Sequence, residues 1–387
     1  MASHLDHTTE LLSRLISYPT ISDQSNLDMI AELSERLGDA GARVDVWYDE
    51  TGAKANLFAT LGPEGDGGIV LSGHTDVVPV ADQEWTSDPF IAETRDDKVF
   101  GRGSCDMKGF IAACVALAPY FAQRARHRPV HFAFTYDEET GCFGGQALIE
   151  SLREKALRPS LAIVGEPTSM RVIEGHKGCF EYSTHFHGLA GHGSAPDRGV
   201  NAAEYAARYV NRLLDLKDEL RARAPEGGRF DPPWTTINTG AFHGGVAHNV
   251  IPSAARVDWE MRPVQASDAH FVKDNLRDYC ERELLPLMRA VDPEARIDTE
   301  IISEVTGLEP ADANEARAIM MELTGAEKSD LVAFGTEAGL FQQYGLSAVV
   351  CGPGSIEQAH KADEFIALDQ LSQCVGMLER LADNLGS

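Results

Sequence analysis

Short apolar runs that alternate with helical stretches constrain the fold of this chain more than any other feature of its sequence. Helical spacing of apolar residues occurs at 11–16, 27–37, 110–122 and 145–154. We expect Thr8 or Thr9 to cap the first of these helices. The runs typical of buried strands are 44–47, 56–61, 69–71, 130–136, 161–164 and 348–351. This alternation predicts an α/β sheet with helices on its faces.

The segment 179–303 departs from this alternation. Its pattern predicts strand, helix, two strands, helix and strand, at 180–186, 202–216, 235–242, 250–261, 269–288 and 295–303. A β-α-β-β-α-β unit of this kind forms a four-stranded sheet covered by two helices. We therefore predict an inserted α+β domain over 179–303. The α/β domain is then formed by 1–178 and 304–387.

Composition and charge argue against several classes of function. The chain carries 34 Lys and Arg against 60 Asp and Glu, a net charge of −26, which repels phosphate backbones and anionic lipids. The longest nearly apolar stretch, 109–122, is too short to span a bilayer. We expect neither a nucleic-acid nor a membrane partner. The first residues do not resemble a secretory leader, so we expect a cytoplasmic protein. The seven cysteines include no C-x-x-C pair, so we expect reduced thiols.

Residues of the types that bind metals recur where predicted strands run out into loops. Because ligands of an open α/β sheet bind outside the carboxyl ends of its strands, we expect these side chains to converge on one site. The candidates in chain order are His74, Asp76, Asp106, Glu138, Glu139, Glu166 and His360.

Two imidazoles and three carboxylates from this set offer nitrogen and oxygen ligands, without soft sulfur, to a divalent cation. These five ligands fit a site with two metal ions better than a site with one. A bridging carboxylate would leave coordination positions for a water and for a substrate carbonyl, as in sites whose metals lie roughly 3.5–4 Å apart. We expect zinc in both positions, with cobalt or manganese as alternatives, and water as the nucleophile.

Five motifs also carry a resemblance to a known family. They are HTDVVP at 74–79, GSCDMKG at 103–109, DEETG at 137–141, GEPT at 165–168 and AH at 359–360. In this order, and over nearly the whole chain, they resemble the aminoacylase and carboxypeptidase family of co-catalytic zinc metallopeptidases. The resemblance implies a mixed-sheet, two-metal peptidase-like catalytic domain whose insert is a lid and dimerisation domain.

The resemblance implies how the metal ligands are divided. Asp106 would bridge the metals, His74 and Glu166 would complete one site, and Glu139 and His360 would complete the other. A cis peptide between Asp106 and Met107 is also implied.

Two further carboxylates of the motifs have implied roles without binding metal. Glu138 would be the general base, taking a proton from the attacking water and delivering it to the leaving amine. Asp76 would hydrogen-bond the His74 ring nitrogen that faces away from the metal and fix its tautomer.

The insert carries further matching residues. His192, within GLAGHGSAP at 188–196, resembles the family histidine that reaches into the partner subunit's active site, which would make it an oxyanion stabiliser supplied in trans. A homodimer is therefore expected. The resemblance implies contacts to substrate from Asn249, Arg262, Gly352, Gly354 and Ser355. Arg262 would grip an α-carboxylate with two parallel hydrogen bonds, and backbone amides from Gly352 to Ser355 would share this task.

Two segments near the end of the chain indicate a branch of the family. FGTEAGLF at 334–341 and CGPGSIEQAHKADE at 351–364 are similar to acetylornithine deacetylases rather than to succinyl-diaminopimelate desuccinylases. The expected substrate is therefore a small N-acyl amino acid, N-acetylornithine, cleaved to ornithine and acetate for arginine biosynthesis. Alternatives are a deacylase of another N-acyl amino acid such as N-acetylcitrulline, a desuccinylase, and a dipeptidase or carboxypeptidase. A non-catalytic family member would have lost a ligand or the base, and none is missing.

Overall fold

The computed structural model describes residues 3–386, which form two compact units. The large unit contains the chain up to Gly175, Pro310–Leu331, and the chain from Thr336 onward. The insert unit contains His176–Glu309 and Val332–Gly335. The predicted insert, 179–303, lies within the second of these units.

Helices account for much of both units. In chain order they are α1 (His4–Ile16), α2 (Leu27–Asp39), α3 (Gly109–Ala116), α4 (Ala118–Arg124), α5 (Phe143–Glu154), α6 (Ala202–Ala222), α7 (Ala266–Tyr279), α8 (Leu285–Arg289), α9 (Glu315–Thr324), α10 (Ala338–Tyr344) and α11 (Leu368–Gly386). A π-helical turn covers Cys280–Leu284, a 3-10 turn covers Pro196–Arg198, and an irregular turn covers Ser104–Lys108, where the backbone of Asp106 and Met107 is not helical.

The strands are shorter and more numerous. In chain order they are β1 (Arg43–Tyr48), β2 (Ala55–Leu61), β3 (Ile69–His74), β4 (Glu93–Arg95), β5 (Lys98–Phe100), β6 (Val130–Thr135), β7 (Leu161–Pro167), β8 (Ile173–His176), β9 (Cys179–His187), β10 (Gly191–His192), β11 (Thr236–Gly244), β12 (Val250–Ile251), β13 (Ala254–Arg262), β14 (Arg296–Val305), β15 (Asp330–Val332), β16 (Ser347–Gly352) and β17 (Phe365–Ala367).

A mixed eight-stranded sheet forms the centre of the large unit, in the order β1-β2-β6-β3-β7-β16-β8-β15. Its four middle strands are parallel, because β3 pairs in parallel with both β6 and β7, and β7 pairs in parallel with β16. Strands β3, β6 and β7 are buried along their whole length, as expected for parallel strands covered on both faces. The predicted α/β fold class is confirmed.

The insert unit is built on a four-stranded antiparallel sheet in the order β11-β13-β9-β14. Alternate residues of β9 and β13 are buried, so each strand turns one side toward a core. Helices α6 and α7 supply that core with apolar residues, among them Tyr209, Leu213 and Val272. The unit is thus the predicted sheet with two helices.

Prolines interrupt three predicted elements. The helix expected at 110–122 divides into α3 and α4, with Pro119 in the first turn of α4. The helix expected at 269–288 passes through a π turn before α8, whose first turn contains Pro286. The strand expected at 250–261 breaks around Pro252 into β12 and β13. Proline has no backbone N–H, so a regular hydrogen-bond ladder is lost at each position.

The cap predicted for the first helix is wrong. Helix α1 begins at His4, and its N-cap is Ser3, whose hydroxyl accepts the Asp6 backbone N–H at 3.1 Å. The Asp6 carboxylate accepts the Ser3 N–H in return, which makes a capping box. Thr8 lies inside the helix, and its hydroxyl donates to the His4 carbonyl.

Within residues 3–386 no single helix is long and apolar enough to cross a membrane. One bent pair, Ser104–Ala116 with Ala118–Arg124, meets the requirement by length and composition. The apolar residues of α3 in this pair are buried in the core.

Candidate metal centre

Three of the predicted ligand segments meet because they end neighbouring parallel strands. His74 is the last residue of β3, Glu138 and Glu139 follow β6, and Glu166 lies near the end of β7. Since β6 and β7 pair with β3 on its two sides, their carboxyl ends lie at one edge of the sheet. This is the edge at which open α/β sheets bind ligands.

Asp106 reaches the same place from the turn Ser104–Lys108 rather than from a strand, and its own backbone is not helical, with φ −121° and ψ 94°. Its peptide bond to Met107 is cis, as the family resemblance implied. One carboxylate oxygen, Oδ1, lies 3.1 Å from Nε2 of His74, and the other, Oδ2, lies 3.4 Å from Nε2 of His360. Asp106 therefore turns one oxygen to each histidine, which is the disposition required of a bridging carboxylate.

Each histidine also faces a glutamate. Nε2 of His360 lies 3.0 Å from Oε2 of Glu139. Nε2 of His74 lies 3.8 Å from Oε1 of Glu166. The five side chains thus form two halves, His74 with Glu166 and His360 with Glu139, and Asp106 lies between them.

The orientation of His74 is set by the residue that follows it by two positions. Nδ1 of His74 lies 2.9 Å from the backbone carbonyl oxygen of Asp76 and 3.5 Å from Oδ1 of its carboxylate. When Nδ1 donates to these oxygens, Nε2 is left as the acceptor or ligand atom. The nearer partner is the carbonyl rather than the carboxylate that the sequence suggested.

The Asp76 carboxylate has other partners. Its oxygens accept the backbone N–H of Glu138 at 3.1 Å and the backbone N–H of Glu139 at 3.2 Å. The Ser22 hydroxyl donates to it at 2.8 Å. Asp76 therefore holds the loop that carries the proposed base and one proposed ligand.

Negative charge is crowded at this site. Burial raises the pKa of Glu166 well above its ordinary value, and Asp106 adds to the rise. Burial and then Asp106 likewise raise the pKa of Glu139. Burial opposes ionisation of Asp106 too, but hydrogen bonds from His360 and His74 more than offset it and hold its pKa below the ordinary value. A cation placed among these groups would relieve the repulsion.

Glu138 lies beside the five proposed ligands. Loss of hydration raises its pKa to about 8, and the nearby charge of Glu139 adds to the rise although His74 opposes it. Its carboxylate also lies within 4.8 Å of ligand atoms of His74 and Glu166. A carboxylate that adjoins a cation site without being needed as a ligand is suited to proton transfer.

The residues present fit a divalent cation. Ligand atoms of His74, Asp106 and Glu139 all lie within 4.8 Å of one another. Oε1 of Glu166 is buried without a hydrogen-bond partner, which is costly unless a missing group satisfies it. Nitrogen and carboxylate oxygen donors without thiolate suit zinc and neighbouring divalent metals.

Two predicted residues of the insert unit are neighbours. Strands β10 and β12 pair with His192 opposite Val250, and the backbone N–H of Gly193 donates to the carbonyl of Asn249 at 2.8 Å. The side chains of His192 and Asn249 are exposed. Residues far apart in sequence are thus brought together at one end of the insert sheet.

Arg262 lies at the other end of this sheet. It closes β13, where it pairs with Thr236 and follows the Met261–Phe180 pair. Its Nε and Nη2 atoms donate to Oε2 of Glu260, at 3.0 and 2.7 Å. Because arginine has five N–H donors, this ion pair leaves others for a substrate carboxylate.

Two backbone amides predicted to bind substrate are engaged within the protein. The N–H of Gly352 donates to the Thr168 hydroxyl at 3.2 Å, and the N–H of Gly354 donates to Oε1 of Gln370 at 3.2 Å. Binding a substrate carboxylate would require both to leave these partners. The Ser355 carbonyl accepts the Cys105 thiol at 3.3 Å.

Sequence reasoning missed several charged groups around the proposed ligands. Glu364 and Arg102 form an ion pair at 2.7 Å whose side chains are each 1% exposed. Lys54 donates to both oxygens of Asp137, at 2.6 and 2.7 Å, beside the Glu138 loop. One sequence signal could have indicated Glu364. It is a charged residue at the end of the segment 351–364, and the predicted metal site gave it no role.

The chain is similar to known proteins of one family. The model of peptidase family M20/M25/M40 matches residues 70–384. An acetylornithine deacetylase of Shigella sonnei (strain Ss046) is 35% identical over 373 residues, which are 95% of this chain and 94% of that protein.

Solved structures show the same fold. An M20 family metallo-carboxypeptidase of Sulfolobus solfataricus has a TM-score of 0.74 at 16% identity, covering 98% of this chain and 99% of that one. A dinuclear metal-binding M20 peptidase of Bacillus subtilis has a TM-score of 0.66 at 15% identity, covering 98% of each chain. From the match to the family and the identity shared with the curated relative, it follows that this chain belongs to peptidase family M20/M25/M40.

Proposed function

We propose that this chain is a two-metal acetylornithine deacetylase, which hydrolyses the amide of N-acetylornithine to ornithine and acetate. The observation that carries the proposal is the 35% identity to the Shigella sonnei acetylornithine deacetylase over 95% of the chain. The convergence of His74, Asp106, Glu139, Glu166 and His360 supports the metal-dependent chemistry.

The five converging side chains would hold two divalent ions, zinc in our proposal, with Asp106 between them. When bound, the ions would act as Lewis acids toward the amide carbonyl and acidify a water molecule. The Glu138 carboxylate is not needed to hold them. It would accept the proton that the attacking water loses and deliver this proton to the nitrogen of the leaving amine.

Arg262 and Asn249 are proposed to bind substrate. A guanidinium matches the planar geometry of a carboxylate, so Arg262 would hold the α-carboxylate of the substrate. Asn249 offers an exposed amide beside His192. The backbone amides of Gly352 and Gly354 would bind the same carboxylate only after leaving their partners within the protein.

The ring of His192 is prepared to donate a hydrogen bond. Its Nδ1 accepts the Ser194 backbone N–H at 3.2 Å and lies 2.8 Å from the Ser194 hydroxyl. A neutral ring that accepts at Nδ1 carries its proton on Nε2. This N–H would stabilise the negative charge that develops on the substrate carbonyl oxygen.

We propose that His192 acts on the site of a partner subunit. Within the insert unit, Arg262 ends β13, whose 9 residues span about 26 Å at the rise of a strand, whereas His192 is paired with Val250, four residues before that strand begins. A substrate as small as N-acetylornithine cannot touch both ends. A site that contains both residues therefore requires two copies of the chain.

An exposed edge of the insert unit suits such a homodimer. Strand β11 ends its sheet and leads into the loop that carries Asn249. Phe242 and Val250 are 45% and 39% exposed there, and Val246 is 90% exposed. Exposed apolar residues along an unpaired strand edge are typical of a surface that another chain covers.

The state of the cysteines supports a location in a reducing compartment. All seven cysteines are free, and five of them are buried. Proteins that keep this many unpaired thiols are typical of the cytoplasm. We propose that location, without a nucleic-acid or membrane partner.

A substrate panel tests the proposed function. The zinc-reconstituted enzyme should hydrolyse N-acetylornithine with a higher kcat/KM than N-succinyl-diaminopimelate, simple dipeptides or N-acetylcitrulline. N-acetylmethionine is the matched control, because it keeps the amide and the α-carboxylate but lacks the ammonium group. Equal or faster turnover of N-acetylmethionine at low salt would contradict the ornithine assignment and indicate a broad N-acyl amino acid deacylase.

A further inference from the structure

The Glu364 carboxylate joins the two loops that carry Asp106 and His360. Its Oε1 accepts the backbone N–H groups of Cys105 at 2.9 Å and of Asp106 at 3.0 Å. Its Oε2 accepts the backbone N–H of Gly103 at 3.1 Å. Three amides of the Asp106 loop thus converge on one side chain that begins four residues after His360.

Arg102 extends this connection to the backbone at His360. Its Nη1 donates to Oε2 of Glu364 at 2.7 Å and to the Lys361 carbonyl at 3.3 Å. Its Nη2 donates to Oε1 of Gln83 at 2.6 Å, and Nε2 of Gln83 donates to the His360 carbonyl at 2.9 Å.

The backbone held in this way has an uncommon conformation. His360 has a φ of 62°, in the left-handed region that few residues other than glycine adopt. The hydrogen bonds from Gln83 and Arg102 to this turn supply contacts that favour it. Without them we expect the His360 ring to sample other positions.

We propose that Glu364, through Arg102 and Gln83, is the positioning residue that sets the distance between the His360 ring and the Asp106 carboxylate. This inference rests on the proposed metal-dependent function. None of the hydrogen bonds described for the three residues goes to an imidazole nitrogen or a carboxylate oxygen of a proposed ligand. They act on the backbone of the ligand loops, so their effect is on geometry rather than on the reacting atoms.

The requirement is for a carboxylate and not only for a polar group. A glutamine at 364 would keep one acceptor oxygen and replace the other with an NH₂ group. That NH₂ would face N–H donors in either orientation, because donors approach both oxygens of Glu364. At least two of the four hydrogen bonds would be lost without a change in side-chain size.

Glu364→Gln is therefore the test, and Glu174→Gln is the matched control. Glu174 is also 1% exposed and is bound by Arg317 and by the Ser329 hydroxyl in the same unit, and neither of these two residues belongs to a ligand loop. Zinc affinity is measured by competition with a chromophoric chelator, and the melting temperature is measured on the metal-free proteins. We expect both variants to lose thermal stability. Only Glu364→Gln should bind zinc about 10 to 100 times more weakly, as for other residues that orient metal ligands.

Unchanged zinc affinity in Glu364→Gln would overturn the proposal. Equal weakening in Glu174→Gln would overturn it too, because metal affinity would then follow general stability. If Glu364→Gln does not fold, Gln83→Ala replaces it, since removing this partly exposed side chain should weaken zinc binding about tenfold and an unchanged affinity would again contradict the inference. If the parent enzyme binds no zinc, the proposed function fails instead.

Discussion

Nε2 of His360 lies 3.0 Å from a carboxylate oxygen of Glu139, although 221 positions separate the two residues in the sequence. With Asp106 beside them, they form half of a site in which burial and mutual repulsion raise the pKa of Glu139. We therefore predict that divalent metal both activates and stabilises the enzyme.

This metal dependence is measured by chelation and reconstitution. Chelated protein should lose turnover and melt at a lower temperature, and added zinc should restore both. At a free metal concentration about 1,000 times Kd, binding to the folded state contributes about 4 kcal/mol. Full activity in protein shown to be metal-free would contradict the mechanism.

Glu138→Gln should separate catalysis from metal binding. The substitution removes the group that accepts and returns the proton, so kcat should fall by roughly 10²–10⁴-fold. Metal content, measured by atomic absorption, should remain close to that of the parent. Glu139→Gln serves as the control and should lose metal instead. The opposite pattern would make Glu138 the ligand and Glu139 the better candidate for the base.

Asp76→Asn should impair the same loop without touching the metals. One oxygen of the Asp76 carboxylate accepts the backbone N–H of Glu138 and the other accepts that of Glu139. The amide of asparagine has one acceptor oxygen, so its NH₂ would face one of these two N–H groups and that hydrogen bond would be lost. Misplacement of the base should lower kcat by about 10- to 100-fold, with a smaller effect on KM. Ser22→Ala, which removes another donor to Asp76, should have a much weaker effect. Parent-like kcat in Asp76→Asn would contradict this positioning role.

Much of the fold and the identities of the converging residues were predictable from sequence. Parallel strands such as β3 and β7 begin with short apolar runs, and His74 and Glu166 lie at or near their carboxyl ends. Glu364 was not assigned a role, because three of its four hydrogen bonds come from backbone amides of a distant loop, which no side-chain pattern encodes.

Short elements were also missed. Strands β4, β5 and β17 form a three-stranded sheet, yet each has only three residues, too few to show a period. The partner of His74 was predicted as the Asp76 carboxylate, while the nearer atom is the Asp76 carbonyl. The backbone conformation at Asp76 determines which of its oxygens lies nearer to Nδ1 of His74, and this conformation could not be predicted from the sequence.

His131 should make the large unit less stable in mild acid. The ring is 4% exposed and lies against Phe58, and burial lowers its pKa to about 4 from an ordinary 6.5. Between these values the unfolded chain binds a proton that the folded chain does not, so stability falls as the pH falls from 6.5 to 4 and is retained above 6.5. The contribution is about 3 kcal/mol.

Urea unfolding of metal-free protein at pH 7 and pH 4.5 measures this effect. His131→Gln removes the titrating group and should lose less stability between the two pH values than the parent does. His127→Gln removes a histidine for comparison and should behave like the parent. An equal loss in the parent and in His131→Gln would show that other groups cause the acid sensitivity.

Mixed dimers should reveal whether His192 acts across the subunit interface. His192→Ala subunits keep an intact metal site but lack the donor, while His74→Ala subunits keep the donor but lack a ligand. Each homodimer should therefore have kcat reduced by at least about 10²-fold, the usual effect of losing one oxyanion donor.

Exchange of subunits between these two inactive proteins would create one complete site in each mixed dimer. That site has the ligands of the His192→Ala subunit and receives His192 from the His74→Ala subunit. If all subunits exchange at random, half of the dimers are mixed, so activity should recover to about a quarter of the parent value per chain. Exchange is followed independently with differently tagged subunits. Proven exchange without recovered activity would mean that His192 does not act in trans, and a fully active monomer would exclude the shared site altogether.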